Sequence, residues 1–359
     1  VSRYKQAEAR QLHSYQRHKA RNMLALLLLF AALMLTALIA LRFGSYEAPL
    51  SEIARAAFGQ SENQSLNIIV QNIRLPRVLT AIIGGLGLGI AGCVLQAVLA
   101  NPLASATTLG ISQGASFGAA FAIVVLGAGA GAGAAPTAQM TNPLVISLFA
   151  FVFSMGVSVV ILAISRFTKL TPEAIVLAGV ALGAMFSGAS ALIQFFATDV
   201  QLAAVVFWTF GDLGRAGWGE IRLMAFVALP STLYFLLTRW DLNALESGEH
   251  TAVSLGVNVS RVRIVNMVLC SLTAAVIVSF LGIINFIGLI APHTVRRLVG
   301  NNHVYLLPGS AIMGAILLVL GDLAARMIIS PIILPIGAIT SFAGAPLFLY
   351  LLFRGSKKR

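Results

Sequence analysis

The chain alternates long, almost unbroken apolar runs with short polar connections. The first run, Met23 to Leu41, is interrupted only by Thr36. Nine more follow at about 78–99, 106–128, 143–165, 174–197, 221–238, 262–281, 283–295, 307–325 and 335–353. About 20 residues of helix match the hydrocarbon core of a bilayer, so runs of this kind predict membrane-crossing helices. No interval between them is long and polar enough to form a soluble domain. The pattern predicts an all-α integral membrane protein with a single ten-helix domain over 23–353. A basic arm, 1–22, precedes it and a basic tail, 354–359, follows.

Composition agrees with this reading. Of 359 residues, 58% are apolar and 10% charged, against roughly 25% charged in ordinary soluble domains. Burial saturates as domains grow, so a water-soluble fold of this length cannot hide so much apolar surface. A cytosolic enzyme, a secreted disulfide scaffold and a disordered chain are excluded. Cys93 and Cys270 lie in separate apolar runs, with no second Cys or His at ligand spacing, and read as packing residues.

The chain carries 24 Lys and Arg against 12 Asp and Glu. In a soluble protein that excess would suggest nucleic acid. Here the basic residues sit at the ends of apolar runs, where they act as topology signals. The arm before Met23 holds six of them and only Glu8. The first run is too long for a secretory signal core, and Arg42-Phe43-Gly44-Ser45 offers no convincing cleavage site. It reads as a retained helix with its amino end in the cytoplasm. Alternating sides from there puts 17 Lys and Arg inside and seven outside, which favours ten spans with both termini cytoplasmic.

The runs lack Asp, Glu, Lys, Arg and His at mid-depth. Ion-coupled carriers need ionisable relays within the bundle, so the motive energy is expected from another subunit. Asp322 and Arg326 stand one turn apart near the end of the ninth run, at the spacing of a local helical pair. Glycines recur at spacing four (Gly85/Gly89, Gly110/Gly114, Gly114/Gly118, Gly127/Gly131), which lets helices approach closely in lipid. Gly87 to Gly92 also spells GxGxxG. A dinucleotide site needs that motif between a strand and a helix, and here it falls inside an apolar run. No GxxxxGK[ST] occurs, so no P-loop is present. The Gly/Ala stretch Gly127 to Ala135 reads as an exterior connection.

Two polar segments stand out. Arg74-Leu75-Pro76-Arg77 precedes the second run on the expected exterior; from composition it either marks the interface or makes a contact. On the cytoplasmic side, Leu242–Ser247 and Glu249–Leu255 each suit a helix of about two turns. Gly248 and Gly256 follow them as stops. Such a pair is either a docking device or a linker.

Together with other stretches, these segments resemble the FecCD-type permeases of bacterial ABC importers for iron–siderophore complexes, haem and cobalamin. The similar stretches run in order. They begin with Arg74-Leu75-Pro76-Arg77, then Gly92-Cys93-Val94-Leu95-Gln96 leading into Asn101-Pro102-Leu103-Ala104. Leu109–Ala115, Leu177–Gly183 and Ser254-Leu255-Gly256-Val257 come next. Phe286–His293, Leu334-Pro335-Ile336-Gly337 and Gly344-Ala345-Pro346 complete the set. The resemblance implies a homodimer of ten-helix permeases, with two ATP-binding subunits below and one substrate-binding protein above. ATP and Mg would be used by the partner ATPase, and this chain would be neither an enzyme nor a holder of cofactor or metal.

The resemblance also implies site residues. Arg74, Arg77 and Arg326 would project outward and dock the binding protein. The segment about 241–258 would couple to the ATPases through Leu242, Leu245, Glu249, His250, Leu255 and Gly256. Asn101, Pro102 and Leu103 would form a cytoplasmic gate. The fifth run, about 174–197, would line the pathway. A second gate loop would fall near Thr171–Glu173, where Pro172 departs from a polar pattern. His293 belongs to the shared pattern whatever the cargo, and no histidine has metal-site spacing. The leading reading is thus the permease subunit of an importer that takes a bulky metal chelate from its binding protein into the cytoplasm. The competing class is a self-sufficient channel or secondary carrier. A channel would call for a repeated filter and a carrier for buried charge.

Overall fold

A computed structural model of the chain describes residues 2–44, 48–128, 142–168 and 171–356, with side chains for 16–44, 48–128, 142–165 and 171–350. Beyond Ala128, the expected Gly/Ala connection lies outside the described residues. So do the side chains of the arm up to residue 15 and of the tail. The described residues are mostly helical and contain no strand. Fifteen α-helices follow one another: α1 (Ser2–Arg42), α2 (Leu50–Ala57), α3 (Gln64–Ile69), α4 (Leu75–Val98), α5 (Ile111–Val124), α6 (Pro143–Thr168), α7 (Pro172–Phe195), α8 (Asp199–Thr209), α9 (Trp218–Leu237), α10 (Arg239–Glu246), α11 (Glu249–Ser254), α12 (Val259–Leu281), α13 (Ile287–Val299), α14 (His303–Met327) and α15 (Ile336–Ser356).

Each of the ten apolar runs coincides with a helix. Seven stretches are long and apolar enough to cross a membrane: 16–42, 64–98, 143–165, 172–195, 218–237, 259–281 and 303–327. α5 and the described part of α15 are apolar but shorter, and α13 has 13 residues. The third run starts later than expected, because 106–110 form turns rather than helix. Gly110, at φ +77°, leads into α5.

Burial ranks the helices. In the most apolar window of the 64–98 stretch 78% of residues are buried, against 22% for α1 and for α7. α4 is the central helix, packed against α14, α12, α13 and α9. Glycines make this possible. A Cβ at Gly85, Gly89 or Gly92 would lie 2.4, 2.3 and 1.8 Å from the backbone oxygens of Gly314, Ser310 and Gly288. The GxGxxG match is therefore a packing face of one helix. In lipid, where water supplies no drive between helices, such backbone approach provides the dispersion contact that holds them together. A second layer joins α5 to α6 and α7, with Phe117, Phe121, Phe149, Phe153 and Phe186 meeting edge-on, tilted or stacked.

The RLPR segment lies in helix, not in a loop. α3 runs through a π-turn, Val70–Arg74, directly into α4. Pro76 explains the turn: it donates no backbone hydrogen bond and its ring crowds the carbonyl four residues back, so the ladder widens locally. Arg74, the last residue of this turn, and Arg77, in the first turn of α4, are both buried.

Candidate functional site: the two polar ends of the bundle

One end gathers the arginines that the resemblance singles out. Arg77 is buried, its Nε 2.7 Å from Asp322 Oδ1 and an Nη 3.4 Å from Asp212 Oδ1. Arg326 Nε stands 3.0 Å from Asp322 Oδ2, off the line that a hydrogen bond needs but close enough to pair. The expected Asp322–Arg326 helical pair is thus present, and it has a second arginine. Asp322 itself is 1% exposed.

Arg74 and Arg326 also close the end of α1. Arg74 donates to the carbonyls of Leu41 and Arg42, and Arg326 to those of Phe43 and Ala40. The last carbonyls of a helix lack intrahelical donors and carry the negative end of its dipole, so two guanidinium groups suit them. Arg215 does the same for α8, donating to Phe207 and Trp208. Burial pulls its guanidinium below the usual arginine range, and Asp212 opposes that shift.

This corrects the expectation that Arg74, Arg77 and Arg326 project outward. Arg74 is 4% and Arg77 8% exposed. In this conformation the three bind α1, α4, α14 and the 211–215 turn together. Burying a guanidinium costs desolvation, and here the helix-end carbonyls and the Asp322 carboxylate within reach offset that cost.

The other end lies about 28 Å away, taking 1.5 Å per residue along α4 from Arg77 to Gln96. Here α10 and α11 form the expected helix pair, though α10 begins at Arg239. Gly256, at φ +83°, terminates α11 in a left-handed conformation that a side chain would strain. The coupling candidates separate into two groups. Leu255 is 68% exposed, and His250 is exposed beside it. Leu242 is fully buried in the main core, which corrects its placement as a contact residue. On a two-turn amphipathic helix one face must anchor the segment, and Leu242 belongs to that face. Leu245 is half-buried, against both the core and the small cluster of Ala244, Ala252 and Val259. Glu249 is paired with Arg263 at 3.3 Å. Sequence reasoning missed Val253, 60% exposed next to Leu255; its signal was an apolar residue on a short polar helix.

The gate candidates lie against this segment. Asn101 accepts a hydrogen bond from the backbone N–H of Leu103 at 2.9 Å and donates its own N–H to the carbonyl of Gln96. Pro102 and Leu103 are exposed. Arg263 donates to the carbonyl of Val98 while pairing with Glu249, so one side chain ties α11 to the last turn of α4. Asn243 of α10 accepts from the His303 backbone and donates to Asn302, fixing α10 to the start of α14. At the second expected gate loop, Thr171 caps α7 by accepting from Ala174, and Pro172 fills its first turn. No group of His, Cys, Asp or Glu able to hold a metal occurs among the described residues.

An all-helical bundle with apolar spans, an internally braced polar end and a helix pair exposed at the other defines a multi-pass membrane protein of the transport-permease class. The chain belongs to the FecCD transport family, whose model matches residues 32–354. A protein of Methanocaldococcus jannaschii, provisionally named an ABC transporter permease, is 48% identical over 344 residues, 96% of this chain and 98% of that one. The hemin transport system permease of Yersinia pestis is 34% identical, covering 92% and 97% of the two chains. The Fe(3+)-citrate import system permease of Bacillus subtilis is also 34% identical, covering 96% and 98%. Among solved structures, an inward-facing transporter provisionally described as metal-chelate type ABC superposes with a TM-score of 0.79 at 29% identity. That match covers 92% of this chain and 98% of the other.

Proposed function

We propose that this chain is the membrane permease subunit of an ATP-driven importer. It would receive a bulky metal chelate from a binding protein on the exterior and release it into the cytoplasm. An iron–siderophore is the first class of cargo, with haem and cobalamin next. Relatives named for hemin and for ferric citrate support the chelate class. The chain would work as a homodimer with two ATP-binding subunits, and both termini would be cytoplasmic. The exterior would then be the end that holds Asp322, and the cytoplasmic end the one that holds α10 and α11.

The observation that carries this reading is the exposed pair Val253 and Leu255 at the end of α11. The segment lies outside the seven candidate spans, so lipid does not account for its apolar tip. A partner groove does. Arg263 joins the first residue of α11, Glu249, to the end of α4, just before the Asn101–Leu103 loop. Force applied at α11 would thereby reach the loop proposed as the gate.

Changing Val253 and Leu255 together to Asp should remove transport-linked ATP hydrolysis, or the association with the ATPase itself. The permease should remain folded in the membrane, because both side chains are already outside the core. Co-purification with the ATPase and turnover in proteoliposomes check this. A double variant that still couples ATP hydrolysis to transport would contradict the docking assignment.

A further inference from the structure

Beside the coupling segment lies a cavity of about 300 Å³, lined by Gln96, Asn101, Pro102, Leu245, Glu246 and Arg296, with Asn301 at its edge. Gln96 is buried; its Oε1 accepts from an Arg296 Nη at 3.3 Å. The Nε2 of Gln96 and the Nε of Arg296 are both buried and meet no acceptor. Across the cavity, Glu246 at the end of α10 takes its hydrogen bond from Asn301 at 2.9 Å. A carboxylate and a guanidinium thus line one cavity without pairing, and a neutral amide holds the acid. Hydrogen bonds between ionised partners are the stronger kind. Glu246 thus has two candidate partners, the Asn301 amide that it meets and the Arg296 guanidinium that lines the same cavity.

We propose that Glu246, Arg296 and Gln96 form the transmission contact between the coupling segment and the gate. When α10 and α11 are pressed toward the bundle, Glu246 exchanges Asn301 for Arg296 and the cavity closes. The carboxylate supplies the acceptor that the two buried donors lack. Gln96 stands two residues before the end of α4 and its carbonyl accepts from the Asn101 N–H, so the same movement, carried through Arg296, pulls the Asn101–Leu103 loop. Arg296 and Gln96 act here as positioning residues. The inference rests on the reading of the chain as an ATP-driven permease.

The test uses the permease purified with its ATPase and reconstituted in proteoliposomes. Wild-type turnover that does not depend on the ATPase would overturn the reading itself, and the exchange with it. Given a coupled wild type, Glu246→Arg and Arg296→Glu should each lower transport-coupled turnover by about tenfold, within the range of ordinary coupling energies. The ATPase should still co-purify with both. The double reversal should restore most of the loss, which a merely structural role would not do. Independently, cross-linking of a Glu246→Cys/Arg296→Cys pair should rise when a non-hydrolysable ATP analogue binds, while a Glu246→Cys/Asn301→Cys pair should fall. The native Cys93 and Cys270 are buried and give a silent background. Single reversals that leave coupling intact, a double reversal no better than the singles, or cross-linking indifferent to nucleotide would each overturn the exchange while leaving the permease reading in place.

Discussion

Replacing Asp322 with asparagine is expected to destabilise the fold by about 3 kcal/mol, in line with breaking other buried ion pairs. The carboxylate is 1% exposed and answers two guanidinium groups, Arg77 at 2.7 Å and Arg326 at 3.0 Å. An amide of the same shape keeps the packing and removes the charge, leaving Asp212, at 3.4 Å, as the carboxylate nearest Arg77. Denaturant or thermal unfolding of the detergent-solubilised protein reads the loss. Arg55 and Glu52, an exposed pair at 3.3 Å, supply the contrast. Arg55→Gln there should shift stability by under about 1 kcal/mol, because solvent screens such pairs. Equal stability of the wild type and Asp322→Asn would mean that the acid does not hold this end of α4 and α14 together.

Gly92→Ala is expected to be at least as severe. The added methyl would sit 1.8 Å from the carbonyl oxygen of Gly288, a backbone atom that no side-chain rotation can move. α4 and α13 would have to part. Overpacking usually costs about 1–3 kcal/mol, and a backbone clash in the most buried helix belongs at or above the upper end. Gly156→Ala on α6, where the methyl would meet nothing within 4 Å, should be neutral or stabilising by up to about 1 kcal/mol through helix propensity alone. Similar yields of folded protein from the two variants would refute the packing role of the α4 glycines.

Hydropathy made the large helices legible. Each apolar run became a helix because, in lipid, a backbone must satisfy its own hydrogen bonds, and sequence needs to state only where the apolar stretch begins and ends. Shorter elements were less visible. α8 follows a capping box, Thr198 with Gln201, and that signal stood in the chain unread. α2 has only eight residues, with Ile53 and Ala56 on its buried side, too short for a hydropathy window. The polar ends were legible as residue types and not as partners. Arg77 and Asp322 are 245 positions apart, and no local spacing encodes such a meeting. The outward role of the RLPR arginines followed from the resemblance and from their place before the second run. Partners distant in sequence reversed it: Asp322 and the end of α1 hold Arg77 and Arg74 inside.

The most direct test of the central claim is uptake of a ferric chelate into proteoliposomes that hold this chain. Its ATPase would face the added nucleotide and its binding protein the chelate. Uptake should require ATP, the ATPase and the binding protein together, and should stop when hydrolysis is blocked. Uptake of the chelate by this chain alone, driven by its own gradient or by an ion gradient, would contradict the claim and favour a self-sufficient channel or carrier.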